Sequence, residues 1–184
     1  MWRLIGITLP QYEDISKEKK IICDLLQNNK IEYFHIRKPD FDKEQMKAWL
    51  KDFPLEYRQR LCLHDYLELA NEFQIGGVHL NKRNNYEIPS TFKGRISRSC
   101  HSISEVAEWK KKCDYVFLSP IYNSISKLGY ESQFTKTELQ KAVAEGIIDS
   151  KVFALSGVTF EKLQDLKEIG FRSAAMMGCL WQNK

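Results

Sequence analysis

Short apolar runs alternate with amphipathic segments along the whole 184-residue chain. Eight of these runs have the length and composition of buried strands: residues 4–9, 31–37, 60–63, 77–80, 94–99, 114–118, 151–155 and 173–177. Strands that alternate with helices indicate parallel βαβ units. Eight strands suffice to close a barrel, whereas an open doubly wound sheet more often has about five or six. We therefore predict an α/β fold, a single (β/α)8 TIM barrel, compact and with short loops, over residues 1–184.

The ends of several helices are also indicated by the sequence. Three pairs have the spacing of capping boxes: Asp42 with Gln45, Ser102 with Glu105, and Thr135 with Glu138. An apolar stripe that begins at Phe160 and runs through Leu166 and Ile169 stops at Gly170, which predicts a helix end. The connection over residues 81–93 has room for only one turn of helix.

Composition narrows the class of protein. Apolar residues make up 43% of the chain and charged residues 28%, which is typical of a globular domain. The net charge of +4 is spread along the chain, and the densest basic patch, 110–112, ends a predicted helix, so we expect no nucleic-acid partner. The five cysteines form no C-x-x-C pair, as expected for reduced, buried thiols. We expect no signal peptide, no membrane partner and a cytoplasmic location.

Polar side chains collect at the carboxyl ends of the predicted strands: His35, Arg37, Lys38, His64, Asp65, His79, Ser97, Ser99, His101, Ser119 and Ser156, which Gly157 follows. Side chains alternate along a strand, so His35 and Arg37 share one face while Phe34 and Ile36 take the other. If the apolar pair packs under the helices, His35 and Arg37 point into the barrel mouth. Barrel enzymes build their active sites at this rim.

The last two strands each end in a glycine-containing pair, Ser156-Gly157 and Met177-Gly178. Loops after strands seven and eight are the usual phosphate site of such barrels, because glycine lets backbone N–H groups approach the anion. We predict a phosphate site there.

Four collinear motifs resemble a known family. They are HDYLELANEFQIGGVHLN from His64, SRSCHSISE from Ser97, DYVFLSPIYNSISK from Asp114 and FALSGV from Phe153. Together they are similar to the thiamine phosphate synthases and their close relatives, the thiazole tautomerases. The resemblance implies a transferase in thiamine biosynthesis that joins a hydroxymethylpyrimidine pyrophosphate to a thiazole phosphate and releases pyrophosphate. It also implies Mg²⁺, held by carboxylates together with the substrate phosphates.

On the pyrophosphate side the resemblance assigns roles to individual residues. Arg37 matches the arginine that grips pyrophosphate, and Lys38 stands one place earlier than the family lysine. Ser99 matches a pyrophosphate-binding serine, and Asp65 matches a magnesium-binding aspartate. We therefore predict Arg37 and Lys38 as catalytic residues, together with Lys127, whose match is described next.

A second group of matches follows strand six and strand seven. Ser124 and Ser126 take the places of two threonines that bind substrate, and Lys127 matches the lysine that follows them. Gly157 matches the second glycine of a Gly-Gly pair on the thiazole-phosphate side, with Ser156 replacing the first. A hydroxyl survives at both threonine positions, so hydrogen bonding to phosphate is retained.

The chain departs from the family at further positions. His35 replaces a glutamine and His64 an asparagine, and both are predicted to contact substrate. Asn84 aligns with the second magnesium aspartate, and losing that carboxylate should weaken Mg²⁺ binding. Pro120 stands where the tautomerases carry their catalytic histidine.

Several alternatives stay open at this stage. The chain could be a tautomerase-like isomerase that acts without a metal, or a non-catalytic barrel that binds a phosphorylated ligand. Asp65 could cap a helix near Tyr66, Arg37 could form an interior ion pair, and His79 is interpreted as a structural residue. Whether the barrel forms a homodimer is left open, and small phosphorylated pyrimidine and thiazole compounds are the expected partners.

Overall fold

The computed structural model describes residues 2–84, 87–88, 90–123 and 132–181. Its eight strands form a closed barrel in chain order, β1 to β8. The strands are β1 (Arg3–Ile7), β2 (Tyr33–Ile36), β3 (Leu61–Leu63), β4 (Gly77–Leu80), β5 (Arg95–Cys100), β6 (Tyr115–Leu118), β7 (Val152–Ala154) and β8 (Ser173–Met176). Neighbouring strands run parallel, with Phe34 beside both Gly6 and Leu61. The prediction of a (β/α)8 barrel is therefore confirmed, and every predicted strand is present.

Seven α-helices connect the strands within the described residues. They are α1 (Ile15–Gln27), α2 (Lys43–Lys51), α3 (Leu55–Arg58), α4 (Leu69–Glu72), α5 (Ile103–Trp109), α6 (Lys136–Ala144) and α7 (Leu163–Ile169). Single 3₁₀ turns follow β4 at Lys82–Asn84 and β8 at Gly178–Leu180. The short connection predicted after β4 thus holds one helical turn in its described part.

The helix-end predictions are confirmed in most details. Complete capping boxes begin α2 and α6. At α5, Ser102 accepts a hydrogen bond from the Glu105 backbone N–H, but the Glu105 carboxylate accepts from the His101 N–H instead of closing the box. The helix begins later than the apolar stripe predicts: α7 starts at Leu163, and Phe160 is 48% exposed.

Gly170 ends α7 for two physical reasons. Its φ is +120°, a conformation that L side chains rarely adopt. An added Cβ would also lie 2.7 Å from Cγ1 of Val143 in α6. The predicted helix stop is confirmed.

The chain divides into two compact units, residues 5–96 and residues 97–181 together with 2–4. The first has an apolar interior in which Trp49 stacks on Phe53 at 5.3 Å. The second is built around aromatic residues that include Tyr115 and Phe153, 5.2 Å apart. Among the described residues no helix is both long and apolar enough to cross a membrane.

The five cysteines are reduced, and three of them are buried. Burial raises the pKa of Cys100 to about 12 and the pKa of Cys113 to about 11. Such thiols stay protonated near neutral pH and act as small apolar side chains, as the sequence indicated.

Candidate active site

Arg37 directly follows β2 and is held by Thr8, which follows β1. The Thr8 hydroxyl accepts a hydrogen bond from the Arg37 N–H at 2.8 Å and donates one to the Arg37 carbonyl at 3.1 Å. Thr8 is fully buried, so this clamp fixes the backbone of Arg37, whose side chain is half-buried. Burial lowers the pKa of Arg37, the Arg83 guanidinium lowers it further, and the Asp65 carboxylate opposes both. Arg37 therefore lies within electrostatic range of these two charged groups.

Asp65 forms a two-point ion pair with Arg83. The Arg83 Nε donates to Asp65 Oδ1 at 2.8 Å and Nη2 donates to Oδ2 at 3.1 Å. Both residues line a cleft of about 630 Å³ beside Tyr66. The size is that of a small-molecule site. The alternative in which Asp65 caps a helix is wrong, because α4 begins only at Leu69 and follows Glu68.

Asn84 is committed to the backbone at the ends of β3 and β4. Its Nδ2 donates to the carbonyls of His64 at 3.1 Å and His79 at 2.8 Å. Its Oδ1 accepts from the Asn81 N–H at 3.0 Å. Asn81 donates to the same two carbonyls, so the turn after β4 locks the two strand ends together. Three backbone groups thus hold both ends of the Asn84 amide in place, which speaks against Asn84 as a metal ligand.

Lys38 is buried and paired with Glu18 of α1. Lys38 Nζ lies 2.6 Å from Glu18 Oε1, the two side chains are 1% and 0% exposed, and Nζ also donates to the Leu9 carbonyl. Trp49 Nε1 donates to the other carboxylate oxygen at 3.1 Å. Successive residues of an extended segment point to opposite faces, so Lys38 turns outward toward the helices when Arg37 turns inward. This position argues against the predicted contact between Lys38 and pyrophosphate.

Three buried histidines pack against one another inside the first unit: His35 of β2, His64 after β3 and His79 of β4. Their exposed fractions are 0%, 6% and 0%. His35 Nδ1 and His64 Nε2 are 2.8 Å apart and share a hydrogen bond. The His64 and His79 rings stack at 4.2 Å, and His35 meets both edge-on. We call these residues the three-histidine cluster.

Burial keeps His35 and His64 neutral. Removal from water lowers the pKa of His35 and of His64 well below the ordinary value of 6.5. His79 adds to the effect on both rings, and Arg95 acts on His35. His35, Arg83 and Arg37 add to the effect on His64.

The depressed pKa values predict that acid destabilises the protein. Below about pH 6.5 the unfolded chain binds protons that the folded chain excludes, so the free energy of unfolding is full above that pH and falls as the pH drops toward the folded-state pKa values. His35 and His64 each contribute a slope of up to about 1.4 kcal/mol per pH unit. Urea unfolding of wild type and His64→Asn between about pH 7.5 and about pH 5 measures this, with His101→Asn at an exposed position as control. Parallel pH profiles for wild type and His64→Asn would contradict it.

In the second unit, Ser156 and Gly157 form a tight turn after β7. Both have positive φ, +82° and +63°. Ser156 Oγ donates to the Tyr122 carbonyl at 3.1 Å. A Cβ on Gly157 would lie 2.4 Å from the Asn123 carbonyl oxygen, so only glycine fits.

The remaining predicted residues of this unit lie on β5 and after β8. Ser99 is half-buried on β5, opposite Phe117 of β6. Met177 directly follows β8, and Gly178 begins the 3₁₀ turn, where a Cβ would meet no described atom within 4 Å. Ser124, Ser126 and Lys127 lie outside the described residues.

Four contributors were missed by the sequence interpretation: Thr8, Glu18, Asn81 and Arg83. Arg83 lies in the 3₁₀ turn after β4, 18 residues after its partner Asp65, and no local pattern signals the pair. Glu18 has the position of an ordinary first-turn acid in α1, which gives no hint of its burial. Thr8 carried a weak signal, since it is a polar residue directly at the end of a strand.

Known proteins resemble this chain over most of its length. A family model described as thiamine monophosphate synthase matches residues 4–180. A thiamine-phosphate synthase of Parasynechococcus marenigrum is 30% identical over 128 residues, which are 65% of this chain and 35% of that protein. Another, from Listeria welshimeri, is 23% identical over 146 residues, which are 76% of this chain and 69% of that protein. The alignment thus spans about a third of the first of these relatives.

The similarity extends to a solved structure. The crystal structure of thiamine phosphate pyrophosphorylase from Bacteroides thetaiotaomicron has a TM-score of 0.84 and 37% identity to this chain, covering 97% of this chain and 84% of that one. The family match, the relatives and the shared fold agree. The chain belongs to the thiamine monophosphate synthase family.

Proposed function

We propose that this protein is a thiamine phosphate synthase of the cytoplasm, joining a hydroxymethylpyrimidine pyrophosphate to a thiazole phosphate. One observation carries the proposal: Arg83 forms an ion pair with Asp65, and the guanidinium of Arg37, at the end of β2, lies within electrostatic range of both groups. The surplus positive charge, beside a cleft of about 630 Å³, suits a pyrophosphate group.

The proposed reaction breaks one bond and forms another. The C–O bond between the pyrimidine methylene and pyrophosphate breaks, and its electron pair leaves with the pyrophosphate oxygen. The lone pair of the thiazole nitrogen then forms the new C–N bond to the methylene carbon. Arg37 would stabilise the charge that develops on the leaving group. The hydrogen bond from its backbone N–H to Thr8 Oγ1 fixes the backbone that carries the guanidinium. Arg83, tethered to Asp65, would supply a second cation.

The residues present do not fit the magnesium site that the family resemblance implies. The Asn84 amide is used by backbone groups, and the Asp65 carboxylate is bound at both oxygens by Arg83. Of the two residues only Asp65 carries a carboxylate, and Arg83 neutralises its charge. The affinity for Mg²⁺ depends strongly on the number of charged ligands, so it should be low here. We therefore assign no step to the metal and expect a weaker dependence on Mg²⁺ than two aspartates would give.

For the thiazole phosphate we propose the turns that follow β7 and β8. Ser156 and Gly157 form the tight turn after β7, and at Gly178 no atom of the described residues lies within 4 Å of the Cβ position, which suits an anion approaching the backbone. Ser99 keeps the pyrophosphate-binding role that the resemblance assigns to it, as a proposal. Ser124, Ser126 and Lys127 keep the roles that the resemblance assigns to them, as proposals.

Product formation tests the proposal directly. Purified protein is incubated with both phosphorylated precursors, with and without Mg²⁺, and thiamine phosphate and pyrophosphate are measured over time. We expect equal amounts of the two products, and an appreciable rate at low Mg²⁺. No product under conditions in which a known thiamine phosphate synthase turns over would refute the proposal.

The same experiment separates the alternatives. A tautomerase would change the thiazole phosphate alone, without the pyrimidine compound. The residue at the tautomerase histidine position is Pro120, which has no base, so this activity is not favoured. A non-catalytic barrel would bind the ligands and release neither product.

A further inference from the structure

The three-histidine cluster has no part in the proposed transfer reaction. Within the described residues, it is a group whose ligand-type atoms, one from each ring, all lie within 4.8 Å of one another. The side chains come from adjacent parallel strands or their ends, which gives them rigid supports. The cluster therefore has its own geometry and its own chemistry.

We propose that His35, His64 and His79 form a binding site for a divalent transition metal ion such as Zn²⁺ or Co²⁺. Imidazole nitrogen is a preferred ligand for these ions and a poor one for Mg²⁺. Three protein nitrogens with a fourth position left to water or another ligand is a common zinc arrangement. The site is distinct from the Asp65–Arg83 pair and goes beyond the proposed synthase function.

The spacing of the nitrogens is close to what coordination requires. With Zn–N bonds of about 2.0–2.1 Å, the nitrogens of a tetrahedral site lie about 3.3 Å apart. The His35 Nδ1 to His64 Nε2 distance of 2.8 Å would open by about 0.5 Å, and the third nitrogen would close in from within 4.8 Å. The stacked rings of His64 and His79 would splay so that their lone pairs converge on the ion.

The hydrogen bond between His35 and His64 shows that one of the two nitrogens already directs a lone pair into the cluster. In a contact between Nδ1 of His35 and Nε2 of His64, one nitrogen donates a proton and the other accepts it with its lone pair. When both nitrogens bind the ion, the proton of the donor ring moves to that ring's other nitrogen, so the ring changes tautomer and no net proton is released. In metal-bound histidines the second ring nitrogen carries the N–H group and donates a hydrogen bond that orients the ring.

The charges around the cluster define the site further. Arg37 and Arg83 act on His64, and Arg95 acts on His35, so the surroundings are cationic. Asp65 is held by Arg83 and offsets only part of this charge. An anion such as pyrophosphate bound at the two arginines would therefore strengthen metal binding, a coupling that runs in both directions.

Titration with Co²⁺ tests the proposal. The protein is prepared without a histidine tag, stripped with a chelator and titrated with Co²⁺ alone, while visible absorption reports nitrogen ligation. We expect one ion per chain, displaced stoichiometrically by Zn²⁺. His35→Gln and His64→Asn, which keep hydrogen-bonding groups, should each weaken binding by about 100-fold or more, since even orienting partners of a ligand are worth about 10–100-fold. His101→Asn changes the chain's fourth histidine and should bind like wild type.

Two results would overturn the site. One is Co²⁺ binding that survives unchanged in His64→Asn, and the other is no binding by wild type at millimolar Co²⁺. X-ray absorption of the wild-type Co²⁺ complex covers the case of a variant that fails to fold: three imidazoles support the proposal, and fewer than three refute it. No substrate is present in these measurements, so failure of the synthase proposal would leave their outcome readable.

Discussion

Replacing Arg37 with alanine is expected to lower kcat/KM for thiamine phosphate formation by about 100-fold to 1000-fold, the usual cost of losing one preorganised group that stabilises transition-state charge. The half-buried guanidinium belongs to a residue directly after β2 whose backbone is held by Thr8. Water that enters the space left by the side chain does not replace this oriented positive charge. The main effect should fall on kcat, because charge on the leaving oxygen grows as the C–O bond breaks. Steady-state kinetics with both precursors measures it.

A matched control keeps the result interpretable. Arg172→Ala removes an exposed guanidinium that hydrogen-bonds to the adjacent Phe171 carbonyl, and it should leave kcat/KM within about twofold. Arg37→Lys keeps the charge without the two-pronged geometry and should recover part of the activity. If Arg37→Ala retains kcat/KM within about threefold of wild type while folding normally, the assignment of Arg37 to the leaving group is wrong.

Replacing Lys38 with methionine is expected to lower the free energy of unfolding by about 3–5 kcal/mol, because Glu18 would be left buried without its cation. The Glu18→Gln, Lys38→Met double variant removes both charges and keeps an oxygen for Trp49 Nε1, so it should regain most of the loss. Urea unfolding of the two single variants and the double variant measures the coupling between the side chains. Activity of the double variant should stay within about threefold of wild type, since Lys38 is turned away from the proposed substrate site.

The chain offers an exposed counterpart as control. Lys43 and Glu68 form an ion pair at 2.8 Å, but their side chains are 44% and 54% exposed. Lys43→Met should therefore cost less than about 1 kcal/mol. Loss of turnover in the Lys38 variants without loss of stability would instead restore the sequence-based assignment of Lys38 to pyrophosphate.

The expected results for the Arg37 and Lys38 variants differ, although the family resemblance assigns both residues to pyrophosphate. Arg37 and Lys38 are adjacent in sequence, and both were predicted to hold the same pyrophosphate. Their side chains leave the chain in opposite directions: Arg37 lies within range of Asp65 and Arg83, whereas Lys38 is buried against Glu18. A match of residue types at adjacent positions did not distinguish them.

The fold could be predicted from the sequence because strand burial leaves a local signature. Every strand of a parallel barrel is covered on both faces, so runs such as residues 61–63 and 115–118 are almost wholly apolar. Helix ends were visible for a similar reason, since a cap such as Asp42 with Gln45 is formed by residues three apart. The stripe predicts the start of α7 too early, at Phe160, because hydrophobic spacing alone does not say where a helix begins.

The contacts of the site are decided by strand register, which the sequence does not display. β2 pairs with β3 so that His35 lies beside Cys62, and β3 pairs with β4 so that Cys62 lies beside Gly77. Two residues further along, this register sets His64 next to His79 and completes the three-histidine cluster. His35 and His64 were predicted to contact substrate, and His79 was interpreted as structural, whereas all three form one buried group.

By itself, the sequence determined the eight strands, the order in which they alternate with helices, the strand ends that carry polar side chains and the family to which the chain belongs. These properties depend on periodicity and on residues close together in the chain. Only the tertiary structure decided that Lys38 pairs with Glu18, that Arg83 holds Asp65, that Asn84 secures two strand ends and that three histidines meet. Each of these contacts joins side chains on separate elements, and its energy depends on burial and distance that exist only once the barrel has closed.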